Sequence, residues 1–68
     1  MTIAQPPSGP TVIEALVALD RAEQAGTFVD AQPDLGDAAR ALTSAKSRNE
    51  PGRDQAIDRL LEVLGKLR

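Results

Sequence analysis

Neither cysteine nor histidine occurs anywhere in this 68-residue chain, and that double absence limits its architecture more than any motif does. So short a chain lies near the lower limit at which a single core can stabilise a fold, and chains of this size usually rely on disulfides, a metal or a partner subunit. Disulfides are excluded, and a zinc site lacks its usual thiolate and imidazole ligands. Association is the staple that remains. The same absence removes the commonest general base and the best side-chain nucleophile. Carboxylates, Lys, Ser and Thr are left, but a chain of this length can hardly close a pocket around them. The expectation is therefore a non-enzymatic protein with no catalytic residue, no cofactor and no metal ligand.

Nothing in the chain approaches the ~20 apolar residues that a membrane span needs. No basic stretch followed by an apolar one opens it, so no export is expected and a cytoplasmic protein is the default. The opening segment "MTIAQPPSGP", residues 1–10, carries three prolines and a glycine with no periodic apolar face, and is expected to be a disordered tail. Residues 11–68 then form a single helical domain.

Three helical segments follow from apolar spacing and stop signals. The first spans about 12–25. Thr11 with Glu14 three residues later fits a capping box, Val12, Ile13, Leu16, Val17 and Leu19 share one side, and Gly26 supplies a natural left-handed stop. The stretch "TFVDAQPDLGD" is ambiguous between helix and loop. The reading adopted makes Phe28 and Val29 an apolar plug over one end of the core, with Asp34 or Asp30 capping the next helix and Pro33 at its start. The second helix, about 35–47, presents Leu35, Ala38, Ala39, Leu42 and Ala45, a thin face that lets another helix approach closely. "SRNEP" breaks it, with Asn49 as cap and Pro51 in the first turn of a third helix, about 51–67. The fold class is all-α, a small three-helix bundle completed by self-association.

The third helix is the informative one. At 100° per residue, Ile57, Leu60, Leu61, Val63, Leu64 and Leu67 cover an arc of about 160°, and the first helix has an arc of similar width. Two wide faces and one thin one do not close on themselves, and apolar surface left wet generally marks association. The spacing places Leu60 and Leu64 near the centre of the arc and Val63 at its edge. Val17, Ile57, Leu60, Leu61, Val63, Leu64 and Leu67 are the candidate partner-binding residues, for a second copy of the chain or another protein. A homodimer acting as a protein–protein interaction or adaptor module is the functional expectation.

Charge gives a competing candidate. Net charge is −2, yet residues 1–39 sum to −5 and residues 40–68 to +3. Arg40, Lys46, Arg48 and Arg53 gather around the junction of the second and third helices, as candidate anion or nucleic-acid contacts on a helix–turn–helix outline. Three features argue against nucleic acid: the chain is acidic overall, Asp54 and Asp58 open the would-be reading helix, and no aromatic residue stands there to stack on bases. The acidic ladder Asp54, Asp58, Glu62 lies on one helical face but supplies too few oxygens for a hard cation, and Glu62 has Lys66 four residues on.

"ALVALDRAEQA" followed later by "DQAIDRLLEVLGKLR" resembles the helical C-terminal docking segments of modular polyketide synthases. Those segments pair an LDRLE-like helix with a later Arg/Leu-rich helix, dimerise as bundles and bind the next synthase subunit. The resemblance covers two helices, about 26 residues, and leucine–arginine helices of this kind are common in GC-rich bacterial proteins. It implies a bacterial docking-type domain for subunit recognition in a multienzyme assembly. The chain departs from the pattern in its longer middle segment and in the character of its second helix.

Overall fold

Helix signals and stop signals divide residues 10–68, the part of the chain that the computed structural model describes, into α1 (Pro10–Ala25), α2 (Phe28–Ser47) and α3 (Arg53–Lys66). No strand occurs among the described residues, and the fold is an all-α three-helix arrangement. Of the expected tail, residues 1–10, residues 1–9 lie outside them, and Pro10 belongs to α1 as its first described residue.

Two tight connections set the topology. Gly26, at φ 81°, donates its N–H to the Glu23 carbonyl and ends α1 in the left-handed conformation that glycine adopts freely. Thr27 follows in extended geometry, and its side-chain oxygen accepts from the Asp30 N–H at 3.2 Å. Thr27 is therefore the N-cap of α2, with Asp30 in the favourable first turn. At the other end, Asn49 stands at φ 56° and donates to the Lys46 carbonyl (3.1 Å), while Glu50 N–H reaches the Ala45 carbonyl (2.9 Å). This pair of bonds is a Schellman motif with Asn49 in the left-handed position. Gly52, at φ 85°, precedes α3 without a side-chain cap.

The helices run up, down and up. The α2–α3 connection returns to the start of α1, where the Thr11 hydroxyl donates to Glu50 Oε1 at 3.1 Å. The chain then comes back along α3 to the α1–α2 turn, where Arg68 N–H donates to the Gly26 carbonyl and Phe28 N–H donates to the Arg68 carbonyl (3.2 and 3.0 Å). α1 packs most extensively on α2, then on α3, and α2 meets α3 least.

Alanine dominates the interior. Of the twelve buried apolar residues among the described ones seven are Ala, and five of these recur at heptad spacing: Ala31, Ala38 and Ala45 on α2, Ala15 and Ala22 on α1. Val12 and Leu19 on α1, and Ala56 and Val63 on α3, repeat the same interval. A seven-residue repeat keeps one seam facing its neighbour along the whole helix, and small side chains there bring the backbones close. The core has two parts, one around Leu19, Ala31 and Val63 and one around Val12, Leu42 and Ala56, and Leu60 packs against both.

Several sequence expectations are corrected. α2 begins at Phe28 rather than near residue 35, so Pro33 lies inside it and Phe28 is a half-exposed first-turn residue instead of a plug. Proline there leaves the Val29 carbonyl without its helical donor, but residues 28–30 are all exposed, so water has access to it. Thr11 is within α1 and bonds to Glu50, so it is not the cap. Asn49 closes α2 rather than opening α3, and Pro51 precedes α3 instead of entering its first turn. Ile13 and Val17, assigned to the inner face of α1, are 48% and 46% exposed, and Ala15, Ala18 and Ala22 take the interior places.

Val63, assigned to the edge of its arc, is fully buried. Val63→Glu is therefore expected to unfold the chain, because an unpaired carboxylate forced into such a core costs about 3–5 kcal/mol, comparable with the whole stability of a small domain. Circular dichroism of that variant checks this; native helicity with an unchanged melting temperature would contradict the packing.

Candidate interaction surface

α3 divides into three strips by the 100° rule. Ala56, Val63 and Leu67 form the buried strip, with Leu60 beside it half-buried. One flank is polar and turns toward α1: Arg59 and Lys66 meet Glu23 there, and Glu62 pairs with both of them. The opposite flank is apolar and has no covering element among the described residues. Ile57 and Leu64 are half-buried on it, and Leu61 is 61% exposed. Of the candidate partner-binding residues, Ile57, Leu60, Leu61 and Leu64 thus form one neighbourhood. Val63 and Leu67 belong to the core.

Val17 lies elsewhere. With Ile13 it lines an open groove of about 530 Å³ between α1 and α2, floored by Ala18 and Ala41 and edged by Glu14, Arg21, Asp37 and Arg40. The groove exists because alanine fills the inner positions of α1, which turns the β-branched pair Ile13 and Val17 outward. The Ile13–Val17 groove is thus separate from the apolar flank of α3.

An ion cluster fixes how α3 sits on α1. Arg59 Nη1 donates to Glu23 Oε2 and to Glu62 Oε1, both at 2.9 Å, and Lys66 Nζ donates to the same two oxygens at 3.1 and 3.2 Å. Hydrogen bonds from Arg59 and then Lys66 hold the Glu23 carboxyl below its usual range. The Glu23 carboxylate in turn raises Arg59 and Lys66 above theirs. These groups are partly exposed, so the pairs orient more than they stabilise. Sequence reading found Glu62–Lys66 by its i,i+4 spacing and missed Glu23, whose partners lie 36 and 43 residues away.

Of the four basic candidates, Lys46, Arg48 and Arg53 lie about the α2–α3 connection, and Arg40 lies apart from them. Arg40 pairs with Asp37 at the edge of the α1–α2 groove. Arg53 donates to the Glu50 carbonyl at 3.1 Å in the α2–α3 connection, and Lys46 and Arg48 are exposed near the end of α2. Glu50, between them in sequence, is buried and turned to Thr11, where its charge faces the positive end of α1. No group of acidic side chains suited to a metal ion occurs among the described residues, and no helix there is long and apolar enough to cross a membrane. Comparison of the chain with protein-family models, with curated proteins and with solved structures finds no match in any of the three.

The sign of the acid response follows from Glu23. Its carboxyl is held below the ordinary 4.5, so its contribution is fully present above that pH and is lost as pH falls through the lowered value. Lys66 is raised above 10.5, so its contribution persists below that pH and is lost as pH rises past the raised value. Thermal melting of Glu23→Gln is expected to lie below wild type at pH 7, with the gap closing as pH drops below about 4. A gap that stays constant with pH would remove Glu23 from the cluster's electrostatics.

Proposed function

We propose that this chain is a non-enzymatic protein–protein interaction module that self-associates through the apolar flank of α3. The observation that carries the reading is Leu61, a large aliphatic residue left mostly in water beside Ile57 and Leu64 while alanine fills the core. Covering a leucine contributes about 1.5–3 kcal/mol when burial is complete, so a few such residues suffice for a specific complex. A cytoplasmic setting suits a chain without cysteine. Asp54 and Asp58, exposed beside the basic residues of the α2–α3 connection, argue against nucleic-acid binding.

A docking-type role in a multienzyme assembly is the second reading, and a specific feature favours it. The Ile13–Val17 groove lies between α1 and α2, apart from the α3 flank, so one molecule has room for a second copy and for another protein at once. In this reading the groove takes the foreign helix and α3 takes the copy.

Sedimentation equilibrium across a concentration series tests the proposal. Wild type is expected to associate reversibly, with a melting temperature that rises with concentration. Leu61→Glu is expected to weaken association by about tenfold or more while keeping its helicity, since each 1.4 kcal/mol is a factor of ten. Val17→Glu is expected to leave self-association unchanged. A wild-type protein that stays monomeric at millimolar concentration would defeat the self-association reading.

A further inference from the structure

Three features of α3 bear on how a second copy would meet it. Gly65 is exposed, and a Cβ built on it would meet nothing within 4 Å, so no packing inside the chain requires a glycine there. Yet glycine inside a helix is disfavoured by about 1 kcal/mol relative to alanine. Gly65 also follows Leu61 by four residues, which places it on the same exposed flank. The result is a notch beside an apolar ridge.

The second feature is the spacing of the ridge. Ile57, Leu61 and Gly65 are four apart, large at one end, large in the middle and empty at the other. Such a row is self-complementary when turned end for end: Leu61 meets its own copy, and Ile57 falls opposite Gly65. A parallel pairing instead sets Ile57 against Ile57 and leaves the notch facing a notch.

The third feature is charge. Asp54 and Asp58 are exposed, have no ion-pair partner among the described residues, and both lie on the N-terminal side of Leu61. A parallel pair would stack Asp54 and Asp58 on their own copies. An antiparallel pair centred on Leu61 separates the two Asp58 residues by about 9 Å and the two Asp54 residues by about 21 Å along the axis. It also opposes the two helix dipoles.

We propose that two copies of this chain pair through α3 in antiparallel orientation, about a two-fold axis at Leu61, with Ile57 of each copy seated over Gly65 of the other. The contact is isologous, the same surface on both copies, so it closes at a dimer and leaves no open end. The inference rests on the self-association reading above and adds its geometry and its stoichiometry.

Because the chain has no cysteine, single-cysteine variants read the geometry directly. Leu61→Cys, Ile57→Cys and Gly65→Cys are prepared in the full chain, checked for wild-type helicity, and oxidised with copper phenanthroline in air. Disulfides need Cα atoms within about 7 Å. Leu61→Cys is expected to cross-link with itself. Ile57→Cys and Gly65→Cys are each expected to stay largely monomeric alone and to cross-link with one another when mixed. Self-linking of all three variants would establish a parallel pair and overturn the proposal, as would cross-linking at none of them in a protein that sediments as a dimer. Gly65→Leu supplies a variant that touches no core residue. It is expected to weaken association about tenfold while the melting temperature at dilution holds or rises, since leucine is the better helix former. Unchanged association in Gly65→Leu would also overturn the seating of Ile57. A wild-type monomer in sedimentation would remove the self-association reading itself, which separates that failure from the failure of the geometry.

Discussion

The seam of alanines between α1 and α2 is the constraint on which the rest of this fold depends. Ala15 and Ala22 on one helix and Ala31, Ala38 and Ala45 on the other hold the interior positions at heptad intervals. A methyl group there fixes register and permits close approach, but it buries little area, about 0.8 kcal/mol per carbon against about 1.5–3 kcal/mol for a large aliphatic side chain. The larger interior residues, Val12, Leu19, Leu42, Val63 and Leu67, are few. A domain built this way is closely packed but thinly stabilised, and it lies in the size range where a second source of burial matters.

That arrangement decides where the remaining aliphatic residues go. Once alanine fills the inner face of α1, Ile13 and Val17 turn outward. Once Ala56 and Val63 take the interior of α3, Ile57, Leu61 and Leu64 occupy a flank. The opposite flank of α3 is held by charge, through Glu23 between Arg59 and Lys66. One side of the helix is thus oriented by ion pairs that water screens, and the other is left apolar. Division of labour between the two flanks, rather than the width of a single stripe, gives α3 its directional character.

Much of this was legible in the sequence, and the misses share a cause. The helix count, the Gly26 stop and the thin alanine face of the second helix follow from local spacing. Periodicity alone ranked residues by size, however, and so gave Ile13 and Val17 the places that Ala15 and Ala18 occupy. The same bias put Val63 at an edge, because the stripe was centred on its leucines rather than on Ala56. Pro33 was read as a helix start, although Thr27 with Asp30 three residues later already carried a capping signal. Asn49 could cap a following helix or close a preceding one, and only the hydrogen bonds of Glu50 and Asn49 distinguish the two. Glu23 could not have been found locally, since both of its partners come from α3.

The backbone pairing of Arg68 with Gly26 and Phe28 ties the segment after α3 to the α1–α2 turn. α1 and α2 are joined by a two-residue turn, so their pairing needs only a short loop closure, whereas Arg68 must arrive from 40 residues away. Phe28 stands at the first position of α2, where an N–H has no acceptor within its own helix. Its hydrogen bond exists only while α3 is docked. The amide of Phe28 is therefore a latch, and its exchange with solvent reports release of the segment after α3 from the α1–α2 turn.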